Sequence, residues 1–276
     1  MSPAEKRWTD RRELVTSASP EAVYQAWADP SHIAAWFPDR AYGEAQPGKS
    51  LVHVFEDFGF EAKLDVIEAE PGKRLVLESV SPRGVPFRQE ISIRRAGGDT
   101  VVELVHSGFG ADADFDREYK GVDSGWKLAL AVLKHYLEHH FDKPRQGYFA
   151  MQPAAFEYDA LAPLFRSEAG LARWLTRSGS VGDIGSPVQL ALRDGRSLTA
   201  PSLTAPSLTG RVLADSGLEV ALAWDEIDGV LELKAFDAGD LRMLALRASS
   251  WAASPPEREA MHAWMRSSLA LLQAAL

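Results

Sequence analysis

Thr100-Val101-Val102-Glu103-Leu104-Val105-His106 sets a charged residue within an otherwise apolar run. Side chains on a strand alternate between two faces, so Glu103 marks the solvent side and Val102, Leu104 and His106 point together to the other. The same alternation sends Leu51, His53 and Phe55 inward, followed by Leu64 and Val66, Leu75 and Leu77, and then Phe87, Gln89 and Ile91. Arg88, Glu90, Arg94 and Arg95 fall on the outer face. Turn signals separate these runs at Pro47-Gly48, Pro71-Gly72, Pro82-Arg83-Gly84 and Gly97-Gly98-Asp99. The pattern predicts an antiparallel meander with one apolar face. Its cover is the segment from about Asp116 to Phe141, where Val122, Trp126, Leu130, Leu133 and Leu137 recur at three- and four-residue steps. The fold class is therefore α+β, an antiparallel sheet wrapped around a long C-terminal helix.

Upstream, Lys6 to Thr16 reads as a first strand, and Ser19-Pro20-Glu21 supplies an N-cap, a proline at N1 and an early acid. Asp29-Pro30 interrupts that helix, and Ser31 is expected to cap a second one carrying Ile33, Trp36 and Phe37. Downstream, Lys143-Pro144-Arg145-Gln146-Gly147 ends the long helix, after which the pattern starts again. Trp27 and Trp36 are nine residues apart, as are Phe165 and Trp174. Leu218 to Trp224 alternates like Lys73 to Ser79, Asp240 to Trp251 tracks Asp99 to Phe109, and Trp264 falls where Trp126 does. Two domains are expected, 1–144 and 145–276, the second a degenerate copy of the first. Within the second, the run Ser197-Leu198-Thr199-Ala200-Pro201 repeats from Ser202 to Pro206, which fits an extended hairpin loop better than a central strand.

The 276 residues suit two cores, and 46% hydrophobic with 25% charged residues is a globular composition. Thirty Lys and Arg against thirty-nine Asp and Glu leave a net charge of −9, a field that repels nucleic acid and anionic membranes. Neither is expected as a partner. The absence of cysteine removes disulfides, thiolate nucleophiles and Cys-based zinc sites. With no apolar run of membrane length and a charged start to the chain, a cytoplasmic location is expected.

His53 and His106 are the inward residues with chemistry to offer, since an imidazole can orient a ligand carbonyl or act as a general base. A hydrogen-bonded core histidine is the structural alternative for both, and no carboxylate at a readable spacing orients His106. Gln89 offers a neutral donor and acceptor on the same face. Trp27, Trp36, Phe37 and Trp126 read first as core, because the second copy repeats most of them. Asp112, Asp114 and Asp116 lack the glycine turn and terminal glutamate of a calcium loop. His135, His139 and His140 contain a ligand-compatible four-residue step, but read as an exposed, dipole-complementing helix end. No metal or cofactor is expected.

Ser19-Pro20-Glu21-Ala22-Val23-Tyr24 with Trp27, then Trp36-Phe37, Pro47-Gly48-Lys49, Glu70-Pro71-Gly72-Lys73-Arg74-Leu75, Gly98-Asp99-Thr100, His106-Ser107-Gly108-Phe109 and Gly125-Trp126 stand in an order that resembles the SRPBCC or START-like superfamily. Within it, the chain is similar to the C-terminal domain of the activator of heat shock protein 90 ATPase, in two tandem copies. The resemblance implies a helix-grip fold of seven strands around a long helix, with a cavity between them. It departs from the family's pattern at Ser79, where an aromatic is usual, and in the second copy the His-Ser-Gly-Phe motif has become Ala248-Ser249-Ser250-Trp251. The leading expectation is a non-enzymatic protein that binds a small apolar or aromatic molecule in its first domain. Leu51, His53, Phe55, Gln89, Leu104, His106, Trp126 and Leu130 are the expected ligand contacts. A cyclase-like acid–base enzyme using His106, and a chaperone co-regulator or other protein-interaction module, are the alternatives.

Overall fold

The computed structural model describes residues 8–80, 86–109, 125–193, 207–238 and 241–276. The chain divides into two compact units, Met1–Pro144 and Arg145–Leu276. In the first, strand β1 (Trp8–Thr16) leads to helices α1 (Pro20–Ala28) and α2 (Pro30–Ala34). Strands β2 (Arg40–Gly43), β3 (Ser50–Phe55), β4 (Phe60–Glu70), β5 (Arg74–Val80), β6 (Pro86–Ala96) and β7 (Asp99–Phe109) follow. They form one antiparallel sheet in the order β1-β7-β6-β5-β4-β3-β2. Helix α3, residues 125–135, runs on into a π-helical turn, Tyr136–His140.

The second unit repeats this plan with β8 (Gln146–Pro153), α4 (Tyr158–Arg166), α5 (Glu168–Leu171), β9 (Thr176–Ser178), β10 (Pro187–Leu192), β11 (Ser207–Asp215), β12 (Val220–Trp224), β13 (Gly229–Ala238), β14 (Leu241–Ser250) and α6 (Arg258–Ala275). Its sheet order, β8-β14-β13-β12-β11-β10-β9, is the first order position for position. The repeat extends to single hydrogen bonds. Trp36 Nε1 donates to the Ala26 carbonyl at 2.8 Å, and Trp174 Nε1 donates to the Leu164 carbonyl at 2.9 Å, each indole reaching ten residues back. The tandem helix-grip architecture is thus as the sequence suggests.

Local chemistry accounts for the elements that frame the inner face. Ser19 Oγ accepts from the Ala22 amide at 3.1 Å and starts α1. Asp29, rather than Ser31, caps α2: its carboxylate accepts from the Ser31 amide at 2.8 Å, with Pro30 at N1. Trp36 and Phe37 lie past the end of α2, which frees both rings to pack beneath the sheet. The outer face of β4, β5 and β6 carries an ion-pair ladder. Arg74 bridges Glu68 and Glu90, at 3.0 and 2.6 Å, and Arg88 bridges Glu78 and Glu90, at 2.7 and 2.9 Å. Charges line one side of these strands, while Leu64, Val66, Leu75, Leu77 and Ile91 are buried on the other.

Val122, the three aspartates at 112–116 and the Ser-Leu-Thr-Ala-Pro repeats lie outside the described residues. No helix among the described residues is long and apolar enough to cross a membrane.

Candidate functional site

His106 sits in β7 directly opposite Gln89 of β6 and Asp10 of β1. Directly opposed residues of antiparallel strands share a face, so the three side chains form one row across the sheet. Leu77 and Val66 continue that row on β5 and β4. His106 is 7% exposed and Asp10 only 4%. The Asp10 carboxylate is held by the Arg12 guanidinium, Nε to Oδ1 at 2.9 Å, and Arg12 occupies the next inward position of β1.

Helix α3 closes over the row. Trp126 Nε1 lies 3.0 Å from His106 Nδ1. An indole N–H can only donate, so Nδ1 accepts and the single proton of the neutral ring resides on Nε2. Burial pulls the His106 pKa from 6.5 down to about 4, which keeps the imidazole neutral at pH 7. His106 is therefore a buried hydrogen-bond donor whose basic nitrogen is already engaged.

Aromatic rings extend the wall. Phe87 meets His106 edge-on at 5.5 Å, and Phe37 stacks on Trp126 at 5.4 Å. Phe37 also touches His53 at 5.8 Å and Phe55 at 5.5 Å, both edge-on, which links β3 to Trp126. His53 is 7% exposed, and burial likewise lowers its pKa to about 4. Its Nε2 has no hydrogen-bond partner among the described residues, and neither has the buried indole nitrogen of Trp27. Burying such a group unsatisfied costs about 1–3 kcal/mol.

Of the eight residues expected to contact a ligand, Leu104, His106, Gln89 and Trp126 thus lie together. His53 and Phe55 join them through Phe37. Leu51 and Leu130 are buried, on β3 and one turn along α3 respectively, with no polar group to contribute. Two site residues escape sequence reasoning: Asp10 and Arg12. The only signal was the alternation of Asp10, Arg12, Leu14 and Thr16 inward against exposed Thr9, Arg11, Glu13 and Val15, and charges in two of the four inward places mask it.

In the second unit the corresponding row is Tyr148, Ala248, Leu231, Leu222 and Val212, paired in the same register and wholly within the hydrophobic core. Ala150 stands where Arg12 does, and Leu190 where His53 does. Trp264, the counterpart of Trp126, donates instead to the Arg193 carbonyl at 3.1 Å and packs on Trp224 at 5.7 Å. The imidazole, amide and guanidinium of the first unit have no counterparts here, and in the place of Asp10 the Tyr148 hydroxyl donates to the Pro256 carbonyl at 2.6 Å.

The histidines at the end of α3 are not all on an exposed face. His140 is 4% exposed, while His139 alone of the three is open to solvent. Among the described residues no three His, Asp or Glu side chains are arranged to hold a metal ion.

Residues 17–138 match the family model described as activator of Hsp90 ATPase homolog 1-like protein. No curated protein sequence matches the chain. Several solved structures are similar in fold. The Aha1 dimer from Colwellia psychrerythraea is 20% identical over 48% of this chain and 96% of that one, with a TM-score of 0.42. DynU16, of the dynemicin biosynthetic locus, is 17% identical over 97% of this chain and 99% of its own, with a TM-score of 0.43. The di-domain ARO/CYC BexL from the BE-7585A biosynthetic pathway is 11% identical over 97% and 98%, with a TM-score of 0.45. Residues 17–138 are therefore similar to the activator of Hsp90 ATPase homolog 1-like family, and the second unit repeats the strand order of the first.

Proposed function

We propose that the first unit is a non-enzymatic binding domain for a small, neutral aromatic molecule bearing a carbonyl or hydroxyl oxygen. The observation that carries this reading is the contrast between the two rows. Asp10, His106 and Gln89 stand in one unit where Tyr148, Ala248 and Leu231 fill the same places in the other. Keeping polar groups such as Asp10 and His106 buried is costly, and the second unit folds on the same plan without that carboxylate and imidazole. Ligand sites combine apolar walls with a few placed polar groups, and Trp126, Phe37 and Phe87 beside His106 and Gln89 have that character.

The charge balance favours a neutral ligand. Arg12 is already neutralised by Asp10, so an anionic head group would meet a carboxylate as well as a guanidinium. His106 Nε2–H suits a ligand oxygen as acceptor, and the Gln89 amide suits either partner. The acid–base reading fits less well, because a general base needs a free lone pair and His106 presents a proton instead. The family's name keeps a chaperone as the alternative partner, which a pull-down with the intact chain would detect.

Native mass spectrometry of freshly purified full-length protein tests the proposal. A small-molecule adduct on the wild type that is absent from His106→Leu is expected. A bare mass, together with no saturable uptake of neutral aromatic probes, would overturn it.

A further inference from the structure

We propose that the π-helical turn closing α3 makes a two-histidine chelate, His135 with His140, for a borderline divalent cation such as Zn2+ or Cu2+. Sequence spacing points to His135 and His139, four apart, as the pair that shares a helix face. The fold pairs different residues. In a regular α-helix, positions five apart are turned about 140° from each other and their side chains do not meet. The π turn over Tyr136–His140 takes in an extra residue and brings positions i and i+5 into register. His135 Nε2 and His140 Nε2 consequently lie 3.1 Å apart, with ring centroids at 4.8 Å.

That separation is a usable bite. With metal–nitrogen bonds of about 2.0–2.1 Å, two nitrogens at this spacing subtend roughly 98° at a shared ion, between the octahedral and tetrahedral angles. Imidazole pairs select Zn2+ and Cu2+ over Mg2+ or Ca2+, which prefer oxygen. In the metal-free pair one Nε2–H donates to the other Nε2. Chelation needs both lone pairs, so the donor ring carries its proton on Nδ1 instead, and two neutral rings bind the ion with no net proton release. Among the described residues no three His, Asp or Glu side chains are grouped to hold an ion, so the chelate draws two ligands from this chain.

The surroundings do not oppose a cation. The Lys134 ammonium is tied to Glu138 and to the Val15 carbonyl, both at 2.6 Å. His32 is engaged elsewhere, its Nδ1 2.7 Å from the Tyr136 hydroxyl and its Nε2 3.5 Å from Asp142. His139 is exposed, with its ring centroid 4.9 Å from that of His135 and 6.1 Å from that of His140. It is the natural control.

The test is calorimetric titration of the chelator-stripped, dialysed full chain with ZnSO4, alongside electron paramagnetic resonance of the protein loaded with one equivalent of CuSO4. One equivalent of Zn2+ per chain and a two-nitrogen Cu2+ spectrum are expected. His135→Gln should weaken uptake at least tenfold, while His139→Gln should leave it within twofold of the wild type. His135 is the residue to change because it is only half-buried, and circular dichroism checks that the variant is folded. Absence of saturable uptake by the wild type, unchanged uptake by His135→Gln, or equal loss in His139→Gln would each overturn the proposal.

Discussion

Acidification from pH 7.5 to 5.0 should cost the protein about 4 kcal/mol of stability through two residues alone, His53 and His106. Burial draws both pKa values from 6.5 to about 4. The fold therefore holds the rings neutral, and their contribution is complete at about pH 7.5 and above, where the unfolded chain is neutral too. As the pH falls below that value the unfolded chain takes up protons that the folded one refuses, so stability declines until about pH 4 and then levels off. At pH 5.0 each unfolded ring gains about 2.1 kcal/mol from protonation and each folded ring less than about 0.1, a net loss of about 2 kcal/mol apiece. Urea unfolding of the full chain at the two pH values measures the total. The same difference in His53→Leu and His106→Leu isolates each ring, because the contribution of the second unit cancels. Each variant should lose about 2 kcal/mol of the pH-dependent difference, whatever its stability at pH 7.5. An undiminished difference in the double variant, or imidazole C2–H resonances that titrate near 6.5 in the folded protein, would show that burial does not hold these rings neutral.

Two further outcomes follow from local geometry. Gly108 has φ +108°, and a Cβ there would overlap the Pro86 carbonyl oxygen, so Gly108→Ala should destabilise the first unit by about 1–3 kcal/mol, read as a drop in Tm. Trp264→Ala should cost about 3–5 kcal/mol in the second unit, by loss of packing on Trp224, yet leave the uptake of aromatic probes unchanged.

The alternation around Glu103, the periodic cover of α3 and the paired tryptophans made the sheet, the helix grip and the repeat legible. These features are set by side-chain periods that strand and helix geometry impose. The inner face of β7 was legible for the same reason, and with it His106. Asp10 and Arg12 were not, because a charged residue on a strand reads as solvent-facing unless its partner on the neighbouring strand is known. The bond from Trp126 to His106 depends on where α3 crosses the sheet, which no local pattern encodes. The π turn is harder still, since one extra residue in a helical turn leaves composition and spacing almost unchanged. Asp29 displaced Ser31 as the cap of α2 because Pro30 pre-sets the first helical dihedral and lacks only an amide proton that the helix does not use.

Calorimetric titration of the intact chain with 2-naphthol and with 2-naphthoate discriminates a neutral from a charged ligand, since the two probes share a ring system and differ in charge. The neutral phenol is expected to bind once per chain and more tightly than the carboxylate. His106→Leu should weaken the phenol by about 5- to 150-fold, the worth of a buried hydrogen bond of roughly 1–3 kcal/mol, and Trp264→Phe should have no effect. Tighter binding of the carboxylate, an affinity indifferent to His106→Leu in a folded variant, or a loss confined to Trp264→Phe would contradict it.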